Sequence, residues 1–202
     1  MLRMTLEVFR SCGRCLATGM FITVFANVSL AADESEQQED LEKWRTIGSH
    51  VWRFDDLGAE AGPDTENGML VTTVPYRDFH LSVEFWIEDD TNSGVFLRCQ
   101  DPVEFADINA DNCYEANIWD NHPNQDFRSG SIVRFGPPKS KVDTLGRWNR
   151  YEIDVRGSAI TVTLNGEETA AINDNALAAG YIALQYAGDG LLRFRNVRIT
   201  AY

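Results

Sequence analysis

Apolar and polar residues alternate with a period of two along most of the chain after residue 50, and short turn segments separate the alternating runs. The clearest run covers residues 81–88, where every second side chain is Leu, Val, Phe or Ile. Such alternation predicts strands that are half buried. Asn165-Gly166 and Asp189-Gly190 favour tight hairpins, because both central positions of the preferred turn need positive φ. We therefore predict an all-β fold, a jelly-roll sandwich of two antiparallel sheets.

The alternation also assigns the strand side chains to two faces. One face is an apolar core that includes Val83, Phe85, Leu97, Ile118 and Leu184. The other face combines polar and aromatic side chains: Glu84, Trp86, Phe96, Arg98, Glu115, Asn117, Trp119 and Gln185. A solvated sheet face should be polar without large rings, so we predict that these side chains line one open groove. The rings would stack on sugars and the polar groups would bind hydroxyls. The alternative is that a loop, such as residues 101–112, covers the rings.

The first 31 residues have the pattern of an export signal. An arginine-containing leader precedes an apolar stretch at residues 16–28, and the residues at 29 and 31 are small. Residues 32–45 are acidic and are predicted to be a disordered linker, and residues 46–202 are long enough for one domain. We expect a mature bacterial protein that is periplasmic or secreted and is not held in a membrane.

The charge of the chain restricts its partners. The formal net charge is −13, and removal of a leader with three arginines and one glutamate makes it more negative. A surface this acidic repels phosphate backbones and anionic lipids but does not affect a neutral sugar. The composition therefore argues against nucleic acid as a partner.

The two cysteines outside the leader, Cys99 and Cys113, are a candidate disulfide, because an even number in an exported protein favours pairing. Alternatively, both are small buried apolar residues. A structural calcium could bind Glu88-Asp89-Asp90, or Asp107 with Asp111, through carboxylate oxygens, although neither group has the spacing of a calcium-binding loop. The sequence contains no motif that requires a cofactor.

Seven short segments occur in the order typical of one known family. They are YRDF at 76–79, NSGVFLR at 92–98, YEANIWDN at 114–121, GRWN at 146–149, LNG at 164–166, GYIALQ at 180–185 and FRNVRI at 194–199. In these segments the chain resembles the 3-keto-disaccharide hydrolases, which are also described as 3-keto-glucoside lyases and 3-keto-glycal hydratases. The resemblance covers residues 51–202 and implies a concanavalin-like jelly roll that acts on glycosides oxidised to a ketone at C3.

The implied chemistry assigns possible roles to residues of this chain. A C3 ketone acidifies the C2 proton, so a base can remove this proton and the C1 oxygen can leave by β-elimination. The reaction needs a base, an acid for the leaving oxygen and a partner for the enolate. Glu115 is the candidate base, Arg98 the candidate enolate partner, and Asp120 or His122 the candidate acid. Alternatively, Glu115 and Arg98 form a structural pair, His122 is solvated, and Asp120 caps a turn.

Two departures from the family pattern keep other functions open. The family usually has Gln at the position of Asn117 and an aromatic residue near Val133. Both positions lie in or beside the predicted groove, and a changed groove could select another sugar or lack catalysis. A non-catalytic carbohydrate-binding module is therefore the second hypothesis. A scaffold whose groove binds another protein is the third.

Overall fold

The computed structural model describes residues 38–49, 52–63, 66–88 and 91–202. These residues form two antiparallel sheets, which confirms the predicted all-β sandwich. The strands are β1 (Arg45–Gly48), β2 (Arg53–Asp55), β3 (Gly58–Ala61), β4 (Gly68–Val71), β5 (Phe79–Ile87), β6 (Ser93–Cys99), β7 (Tyr114–Ile118), β8 (Trp148–Arg156), β9 (Ala159–Leu164), β10 (Glu167–Asn173), β11 (Tyr181–Tyr186) and β12 (Leu192–Ala201). Three short 3-10 helices cover Leu41–Lys43, Phe105–Asp107 and Gln125–Phe127.

The strand order places β6 and β7 at one side of the smaller sheet. The five-stranded sheet has the order β1-β4-β11-β6-β7, and the seven-stranded sheet has the order β10-β9-β8-β5-β12-β3-β2. Side chains between the sheets form the main core. Val83, Phe85, Leu97, Ile118 and Leu184, which alternation assigns to the core, are all completely buried there. Burial of each such side chain contributes about 1.5–3 kcal/mol.

A second apolar cluster lies on the outer face of the five-stranded sheet. Val71, Ala183, Phe96 and Glu115 occupy neighbouring positions on four adjacent strands. The first three belong to this cluster, and Ile108 and Phe105 from the loop at 101–112 pack against them. The loop therefore covers part of the outer face, including most of the Phe96 ring, and leaves the Glu115 side open.

A disulfide joins Cys99 at the end of β6 to Cys113 just before β7. Both cysteines are buried in the cluster under the loop. Since they flank residues 101–112, the disulfide fixes both ends of the loop that covers the sheet.

The acidic segment before β1 differs from the predicted linker. The predicted export signal and residues 32–37 lie outside the described residues, but residues 38–45 are part of the domain. The Glu39 amide donates to the Val197 carbonyl at 2.7 Å, and Leu41 and Trp44 are each only 7% exposed. These two apolar side chains supply the burial that a purely acidic linker lacks. In the described ranges, no helix is long and apolar enough to span a membrane.

Candidate functional site

A groove of about 360 Å³ lies beside the covering loop on the outer face of the five-stranded sheet. Side chains from three strands form its floor: Phe96, Glu115, Asn117 and Gln185. Loop residues form its walls: Asn92, Ile108, Asn109, Ala110, Trp119, His122, Phe127, Val133 and Arg134. Strand pairing explains the floor, since Phe96 lies opposite Glu115 and Gly94 lies between Asn117 and Gln185. The groove thus brings together six predicted site residues: Phe96, Glu115, Asn117, Trp119, His122 and Gln185.

Trp86 and Glu84 are not in this groove, so their assignment to it is wrong. Both lie on β5, in the middle of the seven-stranded sheet. Trp86 packs edge-on against Trp148 at 6.1 Å, and Glu84 accepts a 2.7 Å hydrogen bond from Arg195. Alternation places these side chains on an outward face correctly, but it cannot tell which of two sheets a strand joins.

Arg98 is also outside the groove, and the reason is a β-bulge. The pairing of β6 with β11 shifts by one residue beside Arg98, whose φ is 54°. A bulge turns the side chain away from the face that alternation predicts. Arg98 is 1% exposed, pairs with Asp78 at 3.0 Å and donates to the carbonyls of Arg77, Gly157 and Leu177. It joins three loops at one end of the sandwich instead of binding an enolate.

Asp120 does not line the groove either, which contradicts its assignment as a candidate acid. Its carboxylate accepts hydrogen bonds from the Thr144 amide at 2.6 Å and the Thr144 hydroxyl at 2.9 Å. It also lies 3.6 Å from the buried guanidinium of Arg128. Asp120 therefore fixes the wall segment that carries Trp119 and His122.

Glu115 is the groove residue best suited to acid–base chemistry. Among the described residues its carboxylate has no hydrogen-bond partner, and it is the one carboxylate among the groove-lining side chains. Burial raises the pKa of Glu115 to about 7, although the positive charge of Arg134 opposes this rise. A carboxylate that releases its proton near neutral pH is suited to act as a general base.

Arg134 is the cation beside Glu115, and it is not among the site residues predicted from the sequence. It lies at φ 70° in a turn closed by the Ile132 amide and the Gly136 carbonyl at 2.8 Å. The neighbouring Val133 amide donates to the Glu115 carbonyl at 3.0 Å, which holds this turn against β7. The Arg134 guanidinium pairs with Asp111 from the covering loop. No pattern in the sequence indicates that this loop arginine lies beside β7.

His122 lies in the aromatic wall of the groove. Its ring contacts Trp119 at 4.6 Å and Phe127 at 5.6 Å, both edge to face. Its Nδ1 is 2.8 Å from the Asn124 carbonyl oxygen and 3.0 Å from the Asn124 amide. No described residue hydrogen-bonds Nε2, so this nitrogen is available to a ligand.

The two floor amides differ in what they can offer a ligand. Asn117 donates to the Phe127 carbonyl and accepts from the Ile118 amide at 2.9 Å, so it holds the wall in place. Gln185 is 8% exposed, and no described residue hydrogen-bonds its side-chain amide. Gln185 therefore has free hydrogen-bonding capacity at the floor, whereas the amide nitrogen and oxygen of Asn117 already have protein partners.

Two of the proposed calcium ligands, Asp107 and Asp111, have other partners. Asp107 accepts from the amides of Val103 and Glu104, and Asp111 pairs with Arg134. Asp89 and Asp90 lie outside the described residues. Within the described part of the chain, no group of three or more metal-ligating side chains comes together.

The raised pKa of Glu115 predicts that the folded protein loses stability as the pH rises. In the unfolded chain the carboxyl ionises near 4.5, whereas in the folded protein it keeps its proton up to about pH 7. The stability that the protonated carboxyl provides is therefore fully present below pH 4.5 and is lost between pH 4.5 and about pH 7. Over this range the free energy of unfolding falls by about 3 kcal/mol. Urea unfolding should give the wild type a lower free energy of unfolding at about pH 8 than at about pH 5, and Glu115→Gln should lack this decrease. An equal decrease in the free energy of unfolding in both proteins would contradict the raised pKa of Glu115.

The all-β jelly-roll sandwich carries an aromatic and polar groove, and the matches to known proteins support a carbohydrate-related function. The chain belongs to the family of 3-keto-alpha-glucoside-1,2-lyase-like domains, whose model matches residues 33–200. No curated protein gives a significant match.

Solved structures support the same class. A candidate glycosyl hydrolase from Parabacteroides distasonis ATCC 8503 is 25% identical with a TM-score of 0.65, and the match covers 78% of this chain and 93% of that one. A second such protein from the same organism is 18% identical with a TM-score of 0.70, covering 82% and 91%. The carbohydrate-binding module CBM66 of Bacillus subtilis is 17% identical with a TM-score of 0.60, covering 78% and 95%. The last two show likeness of fold alone.

Proposed function

We propose that this protein acts on glycosides whose sugar has been oxidised to a ketone at C3, and that it cleaves the glycosidic bond by elimination. The observation that carries this proposal is the single groove carboxylate, Glu115, with its raised pKa and the adjacent Arg134. Ordinary glycosidases use two carboxylates on either side of the bond. Elimination next to a ketone needs only one base, which matches the groove. Membership of the lyase-like family points to the same reaction.

In the proposed reaction, Glu115 removes the proton from C2, and the electron pair of that bond forms an enolate whose charge rests on the C3 oxygen. Arg134 stabilises this charge electrostatically. The enolate then re-forms the ketone and a C1–C2 double bond, and the C1 oxygen leaves with a proton from His122 Nε2. Addition of water across the double bond gives the free 3-keto sugar, so elimination and hydration together amount to hydrolysis. Gln185 would bind a sugar hydroxyl at the floor.

The proposed setting is the bacterial periplasm or the outside of the cell. The N-terminal pattern of the first 31 residues supports export, and the paired Cys99 and Cys113 are compatible with an oxidising compartment. A neutral oxidised glycoside would approach the acidic surface without electrostatic repulsion.

The test is to incubate the purified protein with a 3-keto-disaccharide and with the same disaccharide before oxidation. We expect release of free sugar, or of the unsaturated 3-keto product, from the oxidised substrate alone, because only the ketone makes the C2 proton acidic. Mass spectrometry and NMR would identify the products. Equal cleavage of the unoxidised disaccharide would overturn the elimination mechanism.

The second candidate is a non-catalytic carbohydrate-binding module. It is favoured by Asn117, whose amide is occupied by the wall, and the likeness to CBM66 makes the fold suitable for binding. In that case the protein would bind sugars without turnover, and Trp119→Ala would weaken binding because stacking is lost. Calorimetry with wild type and variant separates the two functions. A folded sample that binds no sugar on a glycan array and turns over none would exclude both.

A further inference from the structure

Gly94 is the second residue of β6 and lies between two side chains of the groove floor. It pairs with Gln185 of β11 on one side and with Asn117 of β7 on the other. Glu115 is two residues before Asn117 on β7, so it is a diagonal neighbour of Gly94 on the same face. A Cβ atom at residue 94 would lie 2.8 Å from Glu115 Oε1 and 3.2 Å from Glu115 Cγ. The Glu115 side chain therefore lies across the position that any other residue would fill.

The backbone does not explain this glycine. Gly94 is not among the glycines with positive φ, so another residue could adopt its conformation. A glycine inside a strand weakens the strand and often marks a position that another group approaches closely. The atoms that approach here are those of Glu115 and the ring of Phe96, whose Cε2 would be 3.2 Å from the Cβ.

We propose that Gly94 is a positioning residue for Glu115: it lets the carboxyl group lie flat on the sheet floor instead of projecting into open solvent. This inference rests on the proposed role of Glu115 as the base. The Glu115 carboxyl is the flexible end of a side chain, so a methyl group at residue 94 would displace it and would leave the strand in place. The carboxyl would move outward, where water solvates its charge.

The charged groups around Glu115 determine how this movement can be measured. The turn at 132–136 presents Arg134, the covering loop presents Asp111, which pairs with Arg134, and the aromatic wall presents His122. Beside Glu115, the neighbouring strand β6 presents Gly94 and Phe96, which carry no charge. Gly94→Ala changes none of these charges. Any change in the Glu115 pKa would therefore come from the position of its carboxyl group.

The experiment compares Gly94→Ala with the wild type. Burial is the main cause that raises the pKa of Glu115 to about 7, so partial solvation should lower it toward its usual 4.5. Titration of the glutamate carboxyl carbons by NMR, with Glu115→Gln to assign the signal, measures this without substrate. With a 3-keto-disaccharide, kcat should fall by roughly 10- to 100-fold because the base is misplaced, and the acidic limb of the kcat profile should move to lower pH.

Gly62→Ala is the matched control. Gly62 also lacks positive φ, and the nearest atoms to a Cβ there are 3.5 and 3.8 Å away, which is ordinary contact. It follows β3 in the other sheet, so Gly62→Ala should change neither the Glu115 pKa nor the kcat profile. A merely structural fault in Gly94→Ala would lower kcat without moving the pKa or the profile, and this result would overturn the proposal.

The double variant Gly94→Ala/Glu115→Ala covers the case in which Gly94→Ala fails to fold. Without the Glu115 side chain most of the steric overlap with the new methyl group disappears, so the double variant should fold. If it fails too, the strand itself requires Gly94 and the proposal is wrong. The NMR titration also separates this inference from the proposed function. If Gly94→Ala lowers the pKa of Glu115 but the wild type turns over no 3-keto-glycoside, the positioning role is supported and the proposed reaction is refuted. If Gly94→Ala leaves both the pKa and the turnover unchanged, the proposed reaction is supported and the positioning role is refuted.

Discussion

Glu115→Gln should lower kcat for a 3-keto-disaccharide by about 10²- to 10⁴-fold, the usual contribution of a general base. Gln has the shape of Glu but cannot remove the C2 proton, and substrate contacts elsewhere in the groove are unchanged. KM should therefore stay within a few-fold of the wild-type value. Steady-state kinetics at a pH above 7, where the wild-type carboxylate is ionised, measures both constants.

Glu84→Gln is the control for this variant. Glu84 is a partly buried glutamate on an outward sheet face like Glu115, but it belongs to the other sheet and hydrogen-bonds Arg195 and Asn196. Its replacement should leave kcat and KM unchanged. A Glu115→Gln enzyme with wild-type kcat would remove Glu115 from the mechanism and shift attention to the binding hypothesis.

The sequence predicts the faces of the strands well because alternation reflects burial directly. Leu97 and Ile118 point into the core, and Glu115, Asn117 and Gln185 point outward to the groove, as the pattern indicates. These residues lie on regular stretches of strand. In such stretches the pleat alone decides the direction of each side chain.

The alternation pattern does not predict the positions of Arg98 and Trp86. Arg98 lies at a bulge, which is a one-residue irregularity that no hydrophobic pattern records. Trp86 shows a different limit, because sheet membership depends on strand pairings between segments far apart in the chain. β5 pairs with β8 and β12, so Trp86 lies on the far side of the sandwich from the groove.

The groove cation could not be predicted for a third reason. Arg134 is in a turn without regular periodicity, and backbone contacts such as the hydrogen bond from Val133 to the Glu115 carbonyl hold this turn along β7. Its partner Asp111 comes from the covering loop, whose ends the Cys99–Cys113 disulfide fixes. The charge environment of Glu115 is thus made by two loops, and contacts between loops leave little trace in the sequence.

Asp120→Ala should destabilise the fold by about 3–5 kcal/mol, because it removes one partner of a buried ionic network. Asp120 is 7% exposed, and its loss leaves the Thr144 hydroxyl and amide without their acceptor and removes one of the two carboxylates that pair with the buried Arg128. Asp143→Ala is the matched control, since Asp143 also pairs with Arg128 but its side chain is 73% exposed. Its cost should stay within about 1 kcal/mol. Urea unfolding measures both variants, and equal costs would show that Asp120 does not fix the wall that carries Trp119 and His122.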